Sequence, residues 1–150
     1  MIKRIINTNA TWTPTIIRLV LGCVLFPHGA QKMLGWYGGG GFSTTMNHFT
    51  TGGGMHYITA LFVILIEFFG SLMLILGAFT RVAALGVFGL FMGIIYNVAY
   101  ANGFFMNWGG DKKGEGFEYH ILILGMALAL VIAGGGNFSI DQKLSSNNNQ

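Results

Sequence analysis

Four long apolar segments alternate with segments rich in glycine and polar residues along the chain. The apolar segments cover residues 15–34, 57–78, 82–101 and 118–133. A helix of about 20 apolar residues crosses a bilayer core of about 30 Å, because each residue adds about 1.5 Å. The fourth segment reaches only roughly 24 Å, so we expect it to recruit flanking residues or to lie where the bilayer is thin. The pattern predicts an all-α integral membrane protein, a four-helix transmembrane bundle.

The connections between the predicted helices differ in length. Only residues 79–81 join the second and third helices, so these two are expected to be antiparallel neighbours. Loop 3 (residues 102–117) mixes a tryptophan with charged residues, and the tail at 145–150 is polar. Because the apolar segments occupy more than half of the chain, we expect a single membrane domain over residues 1–150.

Loop 1 (residues 35–56) has a helical pattern of its own. Phe42, Met46 and Phe49 recur at helical spacing between two runs of glycine. A short helix with one apolar face can lie in the plane of the membrane interface, with that face toward the lipid. We therefore predict a short interfacial helix in loop 1.

The composition agrees with a membrane protein and excludes several other classes. Hydrophobic residues make up 53% of the chain and charged residues 9%, whereas about a quarter of the residues in soluble domains are charged. The eight Lys and Arg residues form no long basic run, so nucleic-acid binding is not expected. Cys23 is the single cysteine, which rules out an internal disulfide or a Cys-x-x-Cys pair. Electron chemistry would therefore need a cofactor or a partner.

The distribution of basic residues predicts an orientation. Lys3, Arg4, Arg81 and Lys143 fall on one side of the predicted bundle, whereas the lysine pair 112–113 shares loop 3 with two acids. Basic residues are enriched on the cytoplasmic side of membrane proteins. We expect both termini to be cytoplasmic, with loops 1 and 3 facing the periplasm or the exterior.

Glu67 is the one acidic residue deep in a predicted span. It lies ten residues into the second helix, about 15 Å below the outer end by helical rise. A charged side chain near mid-membrane costs at least about 2.5–3.5 kcal/mol on insertion scales, so it needs a partner, a proton or a task. Proton exchange or ligand binding is the functional interpretation. The structural alternative is a hydrogen-bonded glutamate that joins helices.

Other polar residues are expected near the outer ends of the remaining helices. Their depths, counted from the helix ends, place them in one layer that Glu67 could reach from below, which predicts a binding pocket between the helices. The structural alternative is that Lys32 extends to the headgroups, Glu118 stabilises the N-terminus of its helix, and the others are interfacial. The group consists of His28, Gln31, Lys32, Tyr96, Asn97, Glu118 and His120.

An ordered set of short motifs resembles the DoxX family of small bacterial membrane proteins, over roughly residues 14–141. No single motif is a catalytic signature, but their order and spacing together are specific. The motifs are Arg18-Leu19-Val20-Leu21-Gly22, His28-Gly29-Ala30-Gln31-Lys32-Met33-Leu34-Gly35-Trp36-Tyr37-Gly38-Gly39, Glu67 with Gly70, Leu76-Gly77-Ala78-Phe79-Thr80-Arg81, Asn102-Gly103-Phe104-Phe105 and Gly116-Phe117-Glu118-Tyr119.

The resemblance implies a function linked to quinone redox. The family name derives from a related subunit of a thiosulfate:quinone oxidoreductase, also described as a terminal quinol oxidase subunit, and other members are associated with oxidative or sulfur stress. The chain would then be an oxidoreductase subunit in a bacterial inner membrane. The recurring polar positions of the family fall here on Arg18, His28, Gln31, Lys32, Glu67, Arg81 and Glu118.

The redox hypothesis assigns a role to each group of candidate residues. A quinone headgroup would lie in the outer layer, with His28 or Lys32 donating to a carbonyl and Glu67 or Glu118 moving protons. The binding group would include Gln31, Tyr96, Asn97 and His120. Haem ligation by His28 and His120 is disfavoured, because two histidines without a spacing motif are weak evidence. No metal site and no covalently bound cofactor are expected.

The alternative hypothesis is non-catalytic. The bundle would anchor or assemble a membrane or redox partner, which would dock through loops 1 and 3. A Gly-x-x-x-Gly step at Gly89 and Gly93, preceded by Gly86, permits close helix packing within the chain or between copies of it. A homo-oligomer is therefore a further expectation.

Overall fold

The structure is a computed structural model that describes residues 6, 8 and 10–147. Lys3 and Arg4, on which part of the predicted orientation depends, lie outside the described residues, as do residues 148–150 of the tail. The described residues form a helical bundle and contain no β-strand. Its helices are α1 (Trp12–Leu34), α2 (Gly41–Asn47), α3 (Tyr57–Leu76), α4 (Thr80–Asn102), α5 (Glu118–Ala133) and α6 (Ile140–Asn147).

Three of these helices, α1, α3 and α4, are long and apolar enough to cross a membrane, and α5 is a shorter apolar helix. The predicted all-α membrane bundle is therefore confirmed, and its helix ends agree with the apolar segments to within a turn. Helices α3 and α4 each contain a π-helical turn, at Ile66–Gly70 and at Ile95–Ala99. Such turns insert one extra residue and often mark functional sites. The hydropathy pattern does not reveal them.

The helices run up and down. Loops 1 and 3 lie at one end of the bundle, called here the loop end. The turn at 77–79 and the segment 134–147 lie at the other, called here the turn end. The core is apolar and close-packed around α4, and its fully buried members include Leu21, Leu74, Ala84, Val87, Ile123 and Leu130.

The helix predicted in loop 1 is present as α2, which continues into a π-helical turn at His48–Gly52. Its apolar face packs on the bundle itself: Met46 is buried against Ala60 and Ile64, and Phe42 and Phe49 contact the same cluster. Apolar contacts with α3 therefore hold α2 over the loop end. Its position in the membrane interface stays a prediction.

Arg18 organises the turn end. It is 2% exposed, and its guanidinium donates hydrogen bonds of 2.5–3.2 Å to five backbone carbonyls. A guanidinium carries five N–H donors, and all of its hydrogen-bonding nitrogens are used here. Arg18 therefore pairs with backbone carbonyls and does not extend to lipid headgroups. The acceptors belong to Leu74, Ile75, Gly135, Asn137 and Phe138.

The segment after α5 folds back onto the turn between α3 and α4. Asp141, 1% exposed, accepts hydrogen bonds from the backbone N–H groups of Phe79 (2.7 Å) and Thr80 (2.8 Å) at the start of α4. Its own N–H donates to Gly77 at 3.0 Å. Gly77 has a φ of +67° and Ser139 packs directly on it, so a side chain there would be both strained and obstructed. The C-terminal helix is thus part of the fold.

Replacing Asp141 with asparagine is expected to destabilise the bundle by about 1–3 kcal/mol, because one of the two buried N–H groups at the start of α4 loses a charged acceptor. Thermal unfolding of the purified protein in detergent measures the loss. Asp111→Asn, in exposed loop 3, is the matched control and should unfold as the wild type does. Equal unfolding temperatures for the two variants would contradict the capping role.

Candidate functional site

Lys32 and Glu67 form an ion pair within the bundle. The ammonium Nζ of Lys32 lies 2.5 Å from Oε2 of Glu67, and the two side chains are 24% and 8% exposed. Side chains on a helix tilt toward its N-terminus. Because α1 and α3 are antiparallel, Lys32 leans into the bundle from the loop end while Glu67 leans toward the loop end. The two charges therefore meet although their Cα atoms start at different depths.

Gly29 brings the two helices together one turn below Lys32. A Cβ atom at Gly29 would lie 2.5–2.6 Å from backbone atoms of Glu67 and Phe68, closer than real Cβ atoms approach. Gly22 lies two turns closer to the N-terminus of α1, and a Cβ atom there would be similarly close to Ser71 and Ile75. The absence of these two side chains lets α1 and α3 pack backbone to backbone, which places Glu67 within reach of Lys32.

An open pocket with several polar side chains lies next to Lys32, between the end of α1 and α2. Its volume is about 400 Å³, within the range of small-molecule sites. Gln31 also lines it and donates from Nε2 to the carbonyl oxygen of Tyr37 at 3.2 Å. Lys32, whose side chain is 24% exposed, lines the same pocket. The lining residues are Gln31, Lys32, Gly39, Gly40, Thr44, Thr45, His48 and Phe49.

Thr44, Thr45 and His48 were not among the residues predicted from the sequence. Thr44 and His48 are four residues apart, so they share a face of a helix, and the apolar pattern of loop 1 already predicted that helix. The polar face of that predicted helix is therefore the sequence signal that indicates these residues. Their placement next to Lys32 depends on how α2 packs, which periodicity alone does not predict.

His28 takes a different position from Lys32, although the two are four residues apart on α1. It is exposed on the surface of the bundle, and it does not line the pocket between α1 and α2. The two side chains therefore separate: Lys32 turns toward Glu67, and His28 faces the surroundings.

Tyr96 and Asn97 lie on the outer surface of α4. Tyr96 is 85% exposed, whereas Asn97 donates from Nδ2 to the carbonyl of Gly93 at 2.8 Å and lines a separate groove between α3 and α4. Neither residue lines the pocket beside Lys32. The predicted layer is thus divided: Gln31 and Lys32 line the pocket between α1 and α2, whereas Asn97 lines the groove between α3 and α4.

Glu118 holds loop 3 together at the start of α5. Its Oε1 accepts hydrogen bonds from the backbone N–H of Met106 at 3.0 Å and from Nε1 of Trp108 at 3.3 Å. His120 packs its ring against Phe91, with centroids 5.7 Å apart, and its buried Nδ1 has no hydrogen-bond partner. Both residues therefore lie at the interface of α5 with loop 3 and α4, away from the ion pair. Among the described residues, no cluster of three His, Cys, Asp or Glu side chains could hold a metal ion.

Comparison with known families assigns the chain. The family model DoxX matches residues 13–101, which cover α1 to α4 and include Arg18, Lys32 and Glu67. Glu118 and His120 lie beyond the matched residues. No curated protein and no solved structure gives a significant match. The match spans more than half of the chain and contains both members of the ion pair, and the chain therefore belongs to the DoxX family.

Proposed function

We propose that the chain is a bacterial inner-membrane subunit that binds the headgroup of a quinone or quinol beside the Lys32–Glu67 pair and exchanges protons with it. The observation that carries this proposal is an acid–base pair, 2.5 Å apart, in which Glu67 is buried and the partly exposed Lys32 lines an open pocket. Intramembrane ionisable residues commonly mark proton or substrate pathways. Both termini would face the cytoplasm, and loops 1 and 3 the exterior.

The residues beside the pocket fit the chemistry of a quinone headgroup. The ammonium of Lys32 would donate a hydrogen bond to a quinone carbonyl, and the carboxylate of Glu67 would accept a proton from a quinol hydroxyl. Oxidation of a quinol to a quinone releases two protons and two electrons. Glu67 would accept the protons one at a time and return them through the pocket, and a partner redox subunit would accept the electrons.

Lys32 and Glu67 are favoured here over the other candidates for these roles. Glu118 accepts two hydrogen bonds on Oε1 that hold it to loop 3, away from the ion pair. Glu67 does not itself line the pocket but is paired with Lys32, which does, whereas His28 is exposed on the bundle surface and does not line the pocket. We therefore expect Glu118 to stabilise loop 3 and His28 to act at the surface of the bundle.

Quinone binding by the purified protein in phospholipid nanodiscs tests the proposal. Lys32→Met and Glu67→Gln should weaken binding of a decyl-substituted benzoquinone or its quinol by about tenfold to a hundredfold, since each removes a charge-assisted hydrogen bond. Lys113→Met and Glu115→Gln, both in exposed loop 3, are the matched controls. Absence of binding by the wild type, or equal binding by all five proteins, would contradict the proposal.

A second candidate function is that of an anchor or assembly subunit. Loop 3 and the adjacent end of α4 expose several large aromatic side chains, including Tyr100 (71%), Phe105 (66%) and Trp108 (87%). Exposed aromatic residues are enriched at protein interfaces as well as at membrane interfaces. Under this alternative, Trp108→Ala would weaken assembly with a redox partner while Lys32→Met would not.

A further inference from the structure

A second cavity lies away from the ion pair, in a groove between α3 and α4. Its volume is about 770 Å³, and it occupies the half of these helices nearest the loop end. Ile66 lines the groove, whereas the next residue, Glu67, points to Lys32 on α1. The groove and the ion pair are therefore on different faces of α3, and a ligand in the groove would be independent of a quinone beside the ion pair.

Two glycines of α4 leave the groove open. A Cβ atom at Gly89 or Gly93 would meet nothing within 4 Å, whereas one at Gly86 would contact Ile66 at 3.6 Å. The two helices are thus in contact at Gly86 and separated from there toward the loop end. A π-helical turn lies on each wall, since Ile66 begins one and Asn97 belongs to the other. The groove therefore lies between two helices and is not only a row of glycines on a flat surface.

The lining of the groove is amphipathic. His56, Thr59 and Asn97 lie at its end nearest the loops, and the rest of its wall is mainly apolar, with Val63, Ile66 and Leu90. No Asp, Glu, Lys or Arg is among the residues that line it. A ligand with a phosphate or carboxylate head would find no lysine or arginine here, so an uncharged head is the better complement.

We propose that this groove binds an uncharged lipid with one linear hydrocarbon chain, of the monoacylglycerol type. The head's hydroxyl groups would donate to the Oδ1 atom of Asn97, whose Nδ2 is already bonded to Gly93, and would exchange hydrogen bonds with Thr59 and His56. The hydrocarbon chain would lie over Gly89 and Gly93. Because α3 and α4 are of membrane-spanning length and composition, the lipid would enter sideways from the bilayer.

Photo-labelling tests this site. The full chain, in phosphatidylcholine nanodiscs, is incubated with a monoacylglycerol that carries a diazirine in its hydrocarbon chain, and the labelled residues are identified by mass spectrometry. We expect labels on the facing parts of α3 and α4. Gly93→Leu should lower labelling about tenfold, the loss that corresponds to excluding about two methylene groups from the groove. Gly125→Leu, at an equally open glycine of α5, is the matched control and should label as the wild type does.

The same samples show which lipid head group the groove prefers and whether a lipid or a second copy of the chain occupies it. Unlabelled monoacylglycerol should compete with the label, lysophosphatidylcholine of the same chain length should compete at least about tenfold less well, and Asn97→Leu should remove this difference. Labelling that is equal in Gly93→Leu and Gly125→Leu, or equal competition by both lipids, would overturn the proposal. A dimer in light scattering that Gly93→Leu dissociates would show that a second copy of the chain occupies the groove, and would also overturn it.

Discussion

Replacing Arg18 with methionine is expected to destabilise the protein by about 5 kcal/mol, the largest effect that we predict for a single substitution. Five backbone carbonyls at the turn end lose their donor, and each buried acceptor left unsatisfied costs about 1–3 kcal/mol without strict additivity. Folded proteins are typically stable by only about 5–15 kcal/mol. Much of the variant should therefore fail to fold.

The yield of monodisperse protein after detergent extraction, with the unfolding temperature of the folded fraction, measures this effect. Arg18→Lys keeps the positive charge but changes the hydrogen-bonding geometry. An ammonium has three donors and cannot donate to five carbonyls that are arranged around a planar guanidinium, so most of the loss of stability should persist. Leu19→Met, at the exposed neighbouring position, is the control. Wild-type yield and unfolding temperature for Arg18→Met would show that these carbonyls do not depend on Arg18.

The second large effect is expected at the ion pair. Lys32→Met should cost about 3 kcal/mol, because it leaves the buried carboxylate of Glu67 without its partner. Glu67→Gln should cost less, about 1–2 kcal/mol, because the longer and partly exposed Lys32 can extend into the pocket and regain water. The two substitutions are expected to cost different amounts of stability because the two side chains differ in exposure, and not because of their charges.

A double-mutant cycle in detergent measures the pair. The free energy of unfolding of Lys32→Met/Glu67→Gln should be closer to that of the wild type than the sum of the single losses, with a coupling of about 1–3 kcal/mol. Additive losses would mean that the two side chains do not interact. A larger loss for Glu67→Gln than for Lys32→Met would contradict the assignment of Glu67 as the less accessible partner.

The helices were predictable because lipid imposes a simple rule. A segment that crosses the bilayer must satisfy its backbone internally and present apolar side chains, so hydropathy alone reveals the helices to within a turn. The short helix α2 was predictable for a related reason, since Phe42, Met46 and Phe49 mark one face. Their partners, Ala60 and Ile64, were not predictable, because an apolar face does not indicate which surface covers it.

The candidate site was only partly predictable. Glu67 stands out in sequence because an acid in a span needs compensation, but its pairing with Lys32 depends on the close contact of α1 and α3 at Gly29. The Gly-x-x-x-Gly step predicted close helix packing at Gly89 and Gly93, within the chain or between copies of it. Within the chain these glycines line an open groove, and packing between copies stays a prediction. Such a step predicts a helix face with small side chains but does not predict what packs against that face. The role of Asp141 has no local signal, since it depends on the return of the chain to a distant turn.

The most direct test of the proposed function is an infrared difference spectrum of the protein in nanodiscs, recorded on addition of a short-chain quinol. We predict that the carboxylate band of an ionised glutamate changes on binding, and that this change is absent in Glu67→Gln and retained in Glu115→Gln. A wild-type spectrum with no carboxylate change, or with a change that persists in Glu67→Gln, would contradict the assignment of Glu67 as the residue that exchanges protons with the quinol.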